Sequence, residues 1–406
     1  MRPIPHGGNP ASVRRQYGLG DLPLLDFSAS LNPLGPPPSV LEAARSAFDR
    51  VTAYPEPGSP RLAERLAEYH GVSLDRVIVT AGATEALSLI SQSLREVLAL
   101  HAYQRGDPGM PIAHLVEPTY GEYRRASHLN ELKLESWGEH VLAWQQEVFP
   151  DPAAGIFWAG HPNNPTGQLW ERERLIAHVD GSLGMLTVVD EAFLPFFADD
   201  ASRSLIGAVP ERENLLVVRS LTKSFAIPGL RVGYAIASPD MIVRLSQYQD
   251  PWTITPQAEA AALAALDETD YLARTADLIA TESARMLARL WEIPGLRPAW
   301  PDRREAGEHP QPLPNYLLVS LTETTWTSIQ VHEALARRGF LVRECSDFRG
   351  LEVGALLTGH NQLVATQGHL RIAVRLPHEN DALLQALVEV LGSEPPALGD
   401  EILRLA

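Results

Sequence analysis

Arg219-Ser220-Leu221-Thr222-Lys223-Ser224-Phe225-Ala226-Ile227-Pro228-Gly229-Leu230-Arg231-Val232-Gly233 decides how the rest of the chain is read. It follows residues 215–218, a short apolar run with branched side chains, which predicts a buried parallel strand. Two hydroxyls and a lysine stand where that strand ends, and an arginine follows eight residues after the lysine. Lys223 is a candidate nucleophile toward an aldehyde, since an amine can hold a carbonyl compound covalently. Ser220, Thr222 and Arg231 suit a phosphate, the arginine through its two-pronged geometry. A lone lysine beside a helix cap would read as surface. The order hydroxyl, hydroxyl, lysine, arginine makes this stretch much less ordinary, and the rest of the chain must supply the other parts of a site.

Working outward, the chain repeats a strand, a loop and a helix. Residues 77–80 lead into Ala81-Gly82-Ala83-Thr84-Glu85, after which Leu87, Ile90, Leu94 and Val97 recur at helical spacing. Residues 112–116 lead into Glu117-Pro118-Thr119-Tyr120, and 156–159 into His161-Pro162-Asn163-Asn164-Pro165-Thr166-Gly167. Residues 186–189 end on Asp190-Glu191-Ala192-Phe193, and 232–237 add another strand. Such alternation predicts an α/β fold, a mostly parallel sheet covered by helices, with ligand beyond the carboxyl ends of the strands. Every candidate motif falls at such an end.

The flanks read differently. Residues 1–40 are rich in Pro and Gly and read as an irregular leader. A helix is expected over 39–50, a loop over 54–58, and a second helix capped by Ser59, with Pro60 first and Gly71 past its end. Residues 256–293 carry a long helical signal in two pieces, and 298–314 read as an exposed loop. Strands are expected at 316–321, 340–343 and 370–374, and a helix over 380–391. The expected division is a large domain over 51–290 and a smaller α+β domain made of 1–50 and 291–406.

Composition bounds the partners. The 406 residues suffice for two domains. The 34 basic and 50 acidic residues give a formal charge of −16, which argues against nucleic acid or an anionic membrane. A few local arginines can still hold an anionic substrate, because salt screens charges beyond about 8 Å. The single cysteine, Cys345, excludes an internal disulfide. No apolar signal core or bilayer-length run is present, so the expectation is a cytoplasmic protein; no metal site is expected.

Together, from about residue 20 onward, these segments resemble the histidinol-phosphate-aminotransferase-like group of fold-type-I pyridoxal-phosphate enzymes. The resemblance implies Lys223 as the Schiff base and Asp190 on the pyridine nitrogen. It implies Ala83, Thr84, Ser220, Thr222 and Arg231 around the phosphate, Tyr120 stacked on the ring, and Asn164 on the phenolic oxygen. It also implies a homodimer, with Tyr54 reaching the cofactor phosphate of the neighbouring subunit, and Arg371 as the carboxylate-binding arginine.

Four details resemble the decarboxylases of the group, which act on a small phosphorylated amino acid. They are His6-Gly7-Gly8-Asn9, the stretch from Asp26 to Pro37, Phe193 where transaminases usually carry Tyr, and Arg343-Glu344-Cys345-Ser346-Asp347-Phe348-Arg349-Gly350-Leu351. By this resemblance His6, Asn32 and Arg343 join the substrate end, with Arg343 on the substrate phosphate. Residues 352–368 exceed what relatives carry and are expected to form a loop or an extra hairpin, on whose path the register of Arg371 depends. The bond that breaks at Cα is the one held perpendicular to the cofactor ring, so orientation separates decarboxylation from transamination. The alternatives are a histidinol-phosphate aminotransferase and, more remotely, a non-catalytic ligand-sensing relative.

Overall fold

The computed structural model describes residues 6–104, 111–137, 155–299, 312–354, 356–359 and 362–396. The chain divides into two compact units, one of Leu31–Thr281 with Pro312–Asn315, the other of Met1–Ser30, Glu282–Gln311 and Tyr316–Ala406. Strand β1 (Leu25–Phe27) belongs to the smaller unit. The larger unit contains β2 (Val77–Thr80), β3 (Ile112–Val116), β4 (Lys133–Trp137), β5 (Gly155–Gly160), β6 (Met185–Asp190), β7 (Leu215–Ser220) and β8 (Gly233–Ile236). These seven form one sheet in the order β2-β8-β7-β6-β5-β3-β4. All neighbours are parallel except β8, which runs antiparallel to β2 and β7. This is the expected α/β architecture.

Burial explains the composition of the central strands. Every residue of β5, β6 and β7 is buried, as in a sheet covered on both faces. Alternate side chains feed two cores. Leu216 and Val218 pack with Leu87, Ile90, Leu115 and Trp158. Leu215 and Val217 pack on the other face with Leu66, Phe157 and Ile236.

In the smaller unit β9 (Leu296–Pro298), β10 (Tyr316–Leu321), β11 (Phe340–Glu344) and β14 (His369–Ala373) join β1 in the order β1-β11-β14-β10-β9. Between β11 and β14 the chain makes an antiparallel hairpin of β12 (Leu356–Gly359) and β13 (Gln362–Ala365). The surplus segment is therefore a hairpin. Arg371 enters β14 in register with Leu318 on one side and Arg343 on the other.

Several local expectations are corrected. The leader is not wholly irregular: Pro10–Tyr17 is a helix whose cap, Asn9, accepts from the Ser12 N–H at 3.0 Å. The helix expected over 39–50 is Pro38–Ser46 followed by a 3-10 turn, Ala47–Thr52. Ser59 precedes Pro60 but makes no side-chain cap; it sits in the left-handed region at φ 50°. Strands β4 and β9 were not expected. Residues 300–311, most of the loop foreseen at 298–314, lie outside the described residues. Among the described residues, no helix is long and apolar enough to cross a membrane.

One glycine fixes how closely three elements meet. Gly233 pairs with Thr80 on β2 and with Ser220 on β7. A β-carbon there would stand 2.8 Å from the Arg219 carbonyl oxygen and 2.9 Å from the Ala83 nitrogen. Both are backbone atoms that cannot turn aside. Gly233→Ala is expected to cost about 1–3 kcal/mol by overpacking, read as a lower denaturation midpoint in urea. An unchanged midpoint would disprove the tight packing.

Candidate active site

The strand tips of the larger unit gather the predicted residues. Asp190 ends β6 and pairs with Gly160 of β5 and Val218 of β7. Its Oδ1 accepts from the Ala192 N–H at 2.9 Å, and its Oδ2 accepts from the Tyr123 hydroxyl at 2.8 Å. Tyr123 lies parallel to Trp158, ring centres 5.3 Å apart, and the Trp158 indole N–H donates to the Ser127 hydroxyl at 3.0 Å. The carboxylate is thus aimed by a backbone amide and by a phenol whose ring is stacked on Trp158. Tyr123 was not singled out from sequence.

Lys223 lies in the one-turn helix Leu221–Ser224 that directly continues β7. Its Nζ stands 4.0 Å from the ring centre of Phe193, three residues past Asp190. Asn32 braces this turn from behind. Its backbone N–H donates to the Lys223 carbonyl at 3.0 Å, and its side-chain amide donates to the Ser224 carbonyl at 2.8 Å and the Thr275 hydroxyl at 2.7 Å. That structural use was not foreseen for a residue expected at the substrate end. The chain contains only two lysines, Lys133 and Lys223. Lys133 is paired with Glu135 at 2.9 Å on edge strand β4.

An anion cradle lies beside this turn. The Ser220 and Thr222 hydroxyls are 2.7 Å apart. The helix Ala83–Gln104 begins just after Gly82, so unpaired N–H groups and the helix dipole face the same end as the strand tips. A β-carbon on Gly82 would stand 2.6 Å from Arg231 Nη2, so glycine is what lets the guanidinium lie along this loop. Arg231 is exposed, with Nη2 3.5 Å from the Ala81 carbonyl. Glu85 stiffens the loop, accepting from the Ala81 N–H at 2.5 Å and the Thr253 hydroxyl at 2.6 Å.

Tyr120 meets Tyr123 edge-on, with ring centres 5.6 Å apart. Burial pushes its phenol up to about 12, against the opposing effect of a hydrogen bond with Thr84, so it is neutral at ordinary pH. Asn164 is buried in the loop after β5, next to a residue that sequence reading passed over. Asn163 donates to the Pro118 carbonyl at 2.9 Å and the Thr166 hydroxyl at 2.8 Å, and accepts from the Thr119 hydroxyl at 2.8 Å. It ties the Tyr120 loop to the Asn164 loop. Tyr54 stands apart from these residues on the surface, 82% exposed, with its ring centre 4.9 Å from that of Trp252.

The remaining predicted residues belong to the smaller unit. Arg343 and Arg371 are direct cross-strand partners, a like-charge opposition that costs stability unless each is compensated. Arg343 pairs with Asp347 at 2.6 Å and faces the Phe348 ring. Arg371 donates to the Ser28 carbonyl at 2.8 Å and lies over Tyr316. His6 is exposed; after it Gly7 packs so closely on Ser28 that a β-carbon would reach 2.1 Å from the Ser28 carbonyl oxygen.

An amine, a buried carboxylate, a backbone cradle that side chains would fill, and two hydroxyls fit pyridoxal phosphate at the strand tips. The aminotransferase class I and II family matches residues 23–387, and the chain belongs to that family of fold-type-I, pyridoxal-phosphate-dependent enzymes. It is 30% identical over 402 residues to the threonine-phosphate decarboxylase of Salmonella typhimurium, covering 97% of this chain and 98% of that one. The crystal structure of L-threonine-O-3-phosphate decarboxylase from Porphyromonas gingivalis is similar at TM-score 0.74 and 21% identity, over 90% of this chain and 99% of that one. The histidinol-phosphate aminotransferase of Sinorhizobium meliloti, solved with pyridoxal-5'-phosphate, is similar at TM-score 0.71 and 21% identity over 94% of both chains.

Tyr123→Phe removes one hydrogen bond from Asp190 and little volume. A hydrogen bond to a charged group contributes about 1.5–3 kcal/mol, so cofactor affinity is expected to fall at least about tenfold. Titration of the apoenzyme with pyridoxal phosphate measures this, and an unchanged Kd would show that Asp190 does not need the phenol.

Proposed function

We propose that this enzyme removes CO₂ from L-threonine O-3-phosphate and releases (R)-1-aminopropan-2-ol O-phosphate, in cobalamin biosynthesis. The observation that carries this reading is 30% identity to a threonine-phosphate decarboxylase along nearly the whole chain. Phe193 supports it: its ring, against the Lys223 amine, offers no hydroxyl where a transaminase is expected to carry tyrosine.

When bound, pyridoxal phosphate supplies a sink for the electrons of the bond broken at Cα. Lys223 would hold the cofactor aldehyde at rest, and its ammonium form would supply the proton that replaces the lost carboxylate at Cα. Asp190, aimed by the Tyr123 hydroxyl and the Ala192 N–H, would face the ring nitrogen and favour its protonated form. Ser220, Thr222, Arg231 and the amides of Ala83 and Thr84 take the cofactor phosphate. Tyr120 would offer the ring a flat partner, and Asn164 a donor for its phenolic oxygen. Arg371 would take the substrate carboxylate and Arg343 its phosphate, with His6 at the same end and Asn32 contributing by bracing the lysine turn. A single cysteine accords with a cytoplasmic enzyme.

Incubation with threonine O-phosphate and no keto acid is expected to release CO₂ over many turnovers. The second reading is histidinol-phosphate aminotransferase, favoured by the shared fold; it predicts one half-turnover that halts until a keto acid is added. Borohydride reduction of the holoenzyme is expected to fix the cofactor on Lys223 in peptide mass maps; a label on Lys133 would defeat the lysine assignment.

We also propose a homodimer in which Tyr54 completes the neighbouring phosphate site, an assignment that accords with its exposed ring. Sedimentation is expected to give twice the 44.5 kDa chain mass. Tyr54→Phe is expected to weaken cofactor binding about five- to tenfold, the worth of one hydrogen bond.

A further inference from the structure

Behind the tips of β6 and β7 lies a buried charge cluster with no evident part in the chemistry. Arg219 precedes Ser220, and consecutive strand residues point to opposite faces. Arg219 Nε donates to Glu191 Oε2 at 2.9 Å, while Nη1 and Nη2 grip Asp200 at 2.9 and 2.7 Å. Glu191, directly after Asp190, also accepts from the Leu205 N–H and the Ser204 hydroxyl, both at 2.7 Å. Its own N–H donates to the Val218 carbonyl at 2.9 Å, extending the β6–β7 ladder by one rung. Glu191 is fully buried and Arg219 4% exposed. Burying such ions is expensive, and apolar residues of similar volume are often as stable or more so. Fold stability alone therefore does not account for the cluster.

What distinguishes its position is the pair of residues it stands behind. Asp190 leaves one of the joined tips, and Ser220, Thr222 and Lys223 leave the other. A slip of one residue between such strands turns every side chain to the wrong face. We propose that the Glu191–Arg219–Asp200 cluster is a positioning device that sets the spacing between the ring-nitrogen carboxylate and the phosphate-and-lysine segment. This rests on the roles assigned above to Asp190 and Lys223.

The test uses the full-length apoenzyme and two probes. Pyridoxal phosphate spans both tips, whereas inorganic phosphate needs only one. The variants are Arg219→Lys, which keeps the charge but loses the fork, and the apolar double variant Arg219→Met with Glu191→Leu. The expected result is an apo double variant that still folds cooperatively at a modestly lowered melting temperature, because Leu205 N–H and Ser204 lose their acceptor while the partly exposed Asp200 can be solvated. Its pyridoxal-phosphate affinity falls at least about tenfold, as misplacement of about 1 Å can cost far more, while its inorganic-phosphate affinity stays within about twofold. Arg219→Lys is expected to show a smaller loss of the same kind, and it decides the matter if the double variant does not fold. Equal loss of both ligands would make the cluster merely structural, and no loss of either would make it dispensable; both overturn the proposal. If borohydride fails to label Lys223 in the wild type, the underlying site reading fails instead, whatever the variants do.

Discussion

The larger unit depends on a register. Thr80, Gly233 and Ser220 stand side by side on three adjacent strands, and Val218 stands beside Asp190 on the next. Neighbouring strands lie about 4.8 Å apart, so residues borne on β2 and on β6 are held at a spacing the sheet itself dictates. A small aromatic ring with an anion at one end and a basic nitrogen at the other needs such a rigid frame. The antiparallel β8 is what lets the segment around Arg231 return to the same edge as the helix beginning at Ala83.

Charge is handled locally throughout. The chain carries a formal −16, yet the buried arginines among the described residues, Arg219, Arg343 and Arg371, are individually compensated. Arg219 is held between two carboxylates, Arg343 by Asp347, and Arg371 by a carbonyl and an aromatic face. Screening isolates such clusters from the acidic surface. The net charge of the chain therefore says little about the potential at any one of these clusters.

The central strands were legible because fully buried parallel strands are unbroken apolar runs, and the residues at their ends are conspicuous for being polar. What stayed hidden was relational. Tyr123 looks like any helix aromatic until its hydroxyl is found on Asp190, 67 positions away in sequence. Asn163 and Asn164 are indistinguishable in the sequence; three hydrogen bonds reveal the first as the link between two loops. Asn32 resembled a substrate residue by its surroundings, while its amide hydrogens go to the chain itself. Strand β4, with Lys133 and Glu135, lacks the apolar run that marks its neighbours, because it closes an edge rather than filling an interior. The helix Pro10–Tyr17 buries none of its residues, so no periodic stripe announces it.

The scarcity of lysine gives the molecule an unusual surface chemistry. Besides Lys223, Lys133 is the one side-chain ammonium open to an acylating dye, and it sits on an edge strand four positions from β7, about 19 Å across the sheet. A fluorophore or surface linker attached through amines would therefore find two side-chain positions at most besides the chain terminus, at places that the sheet keeps well apart.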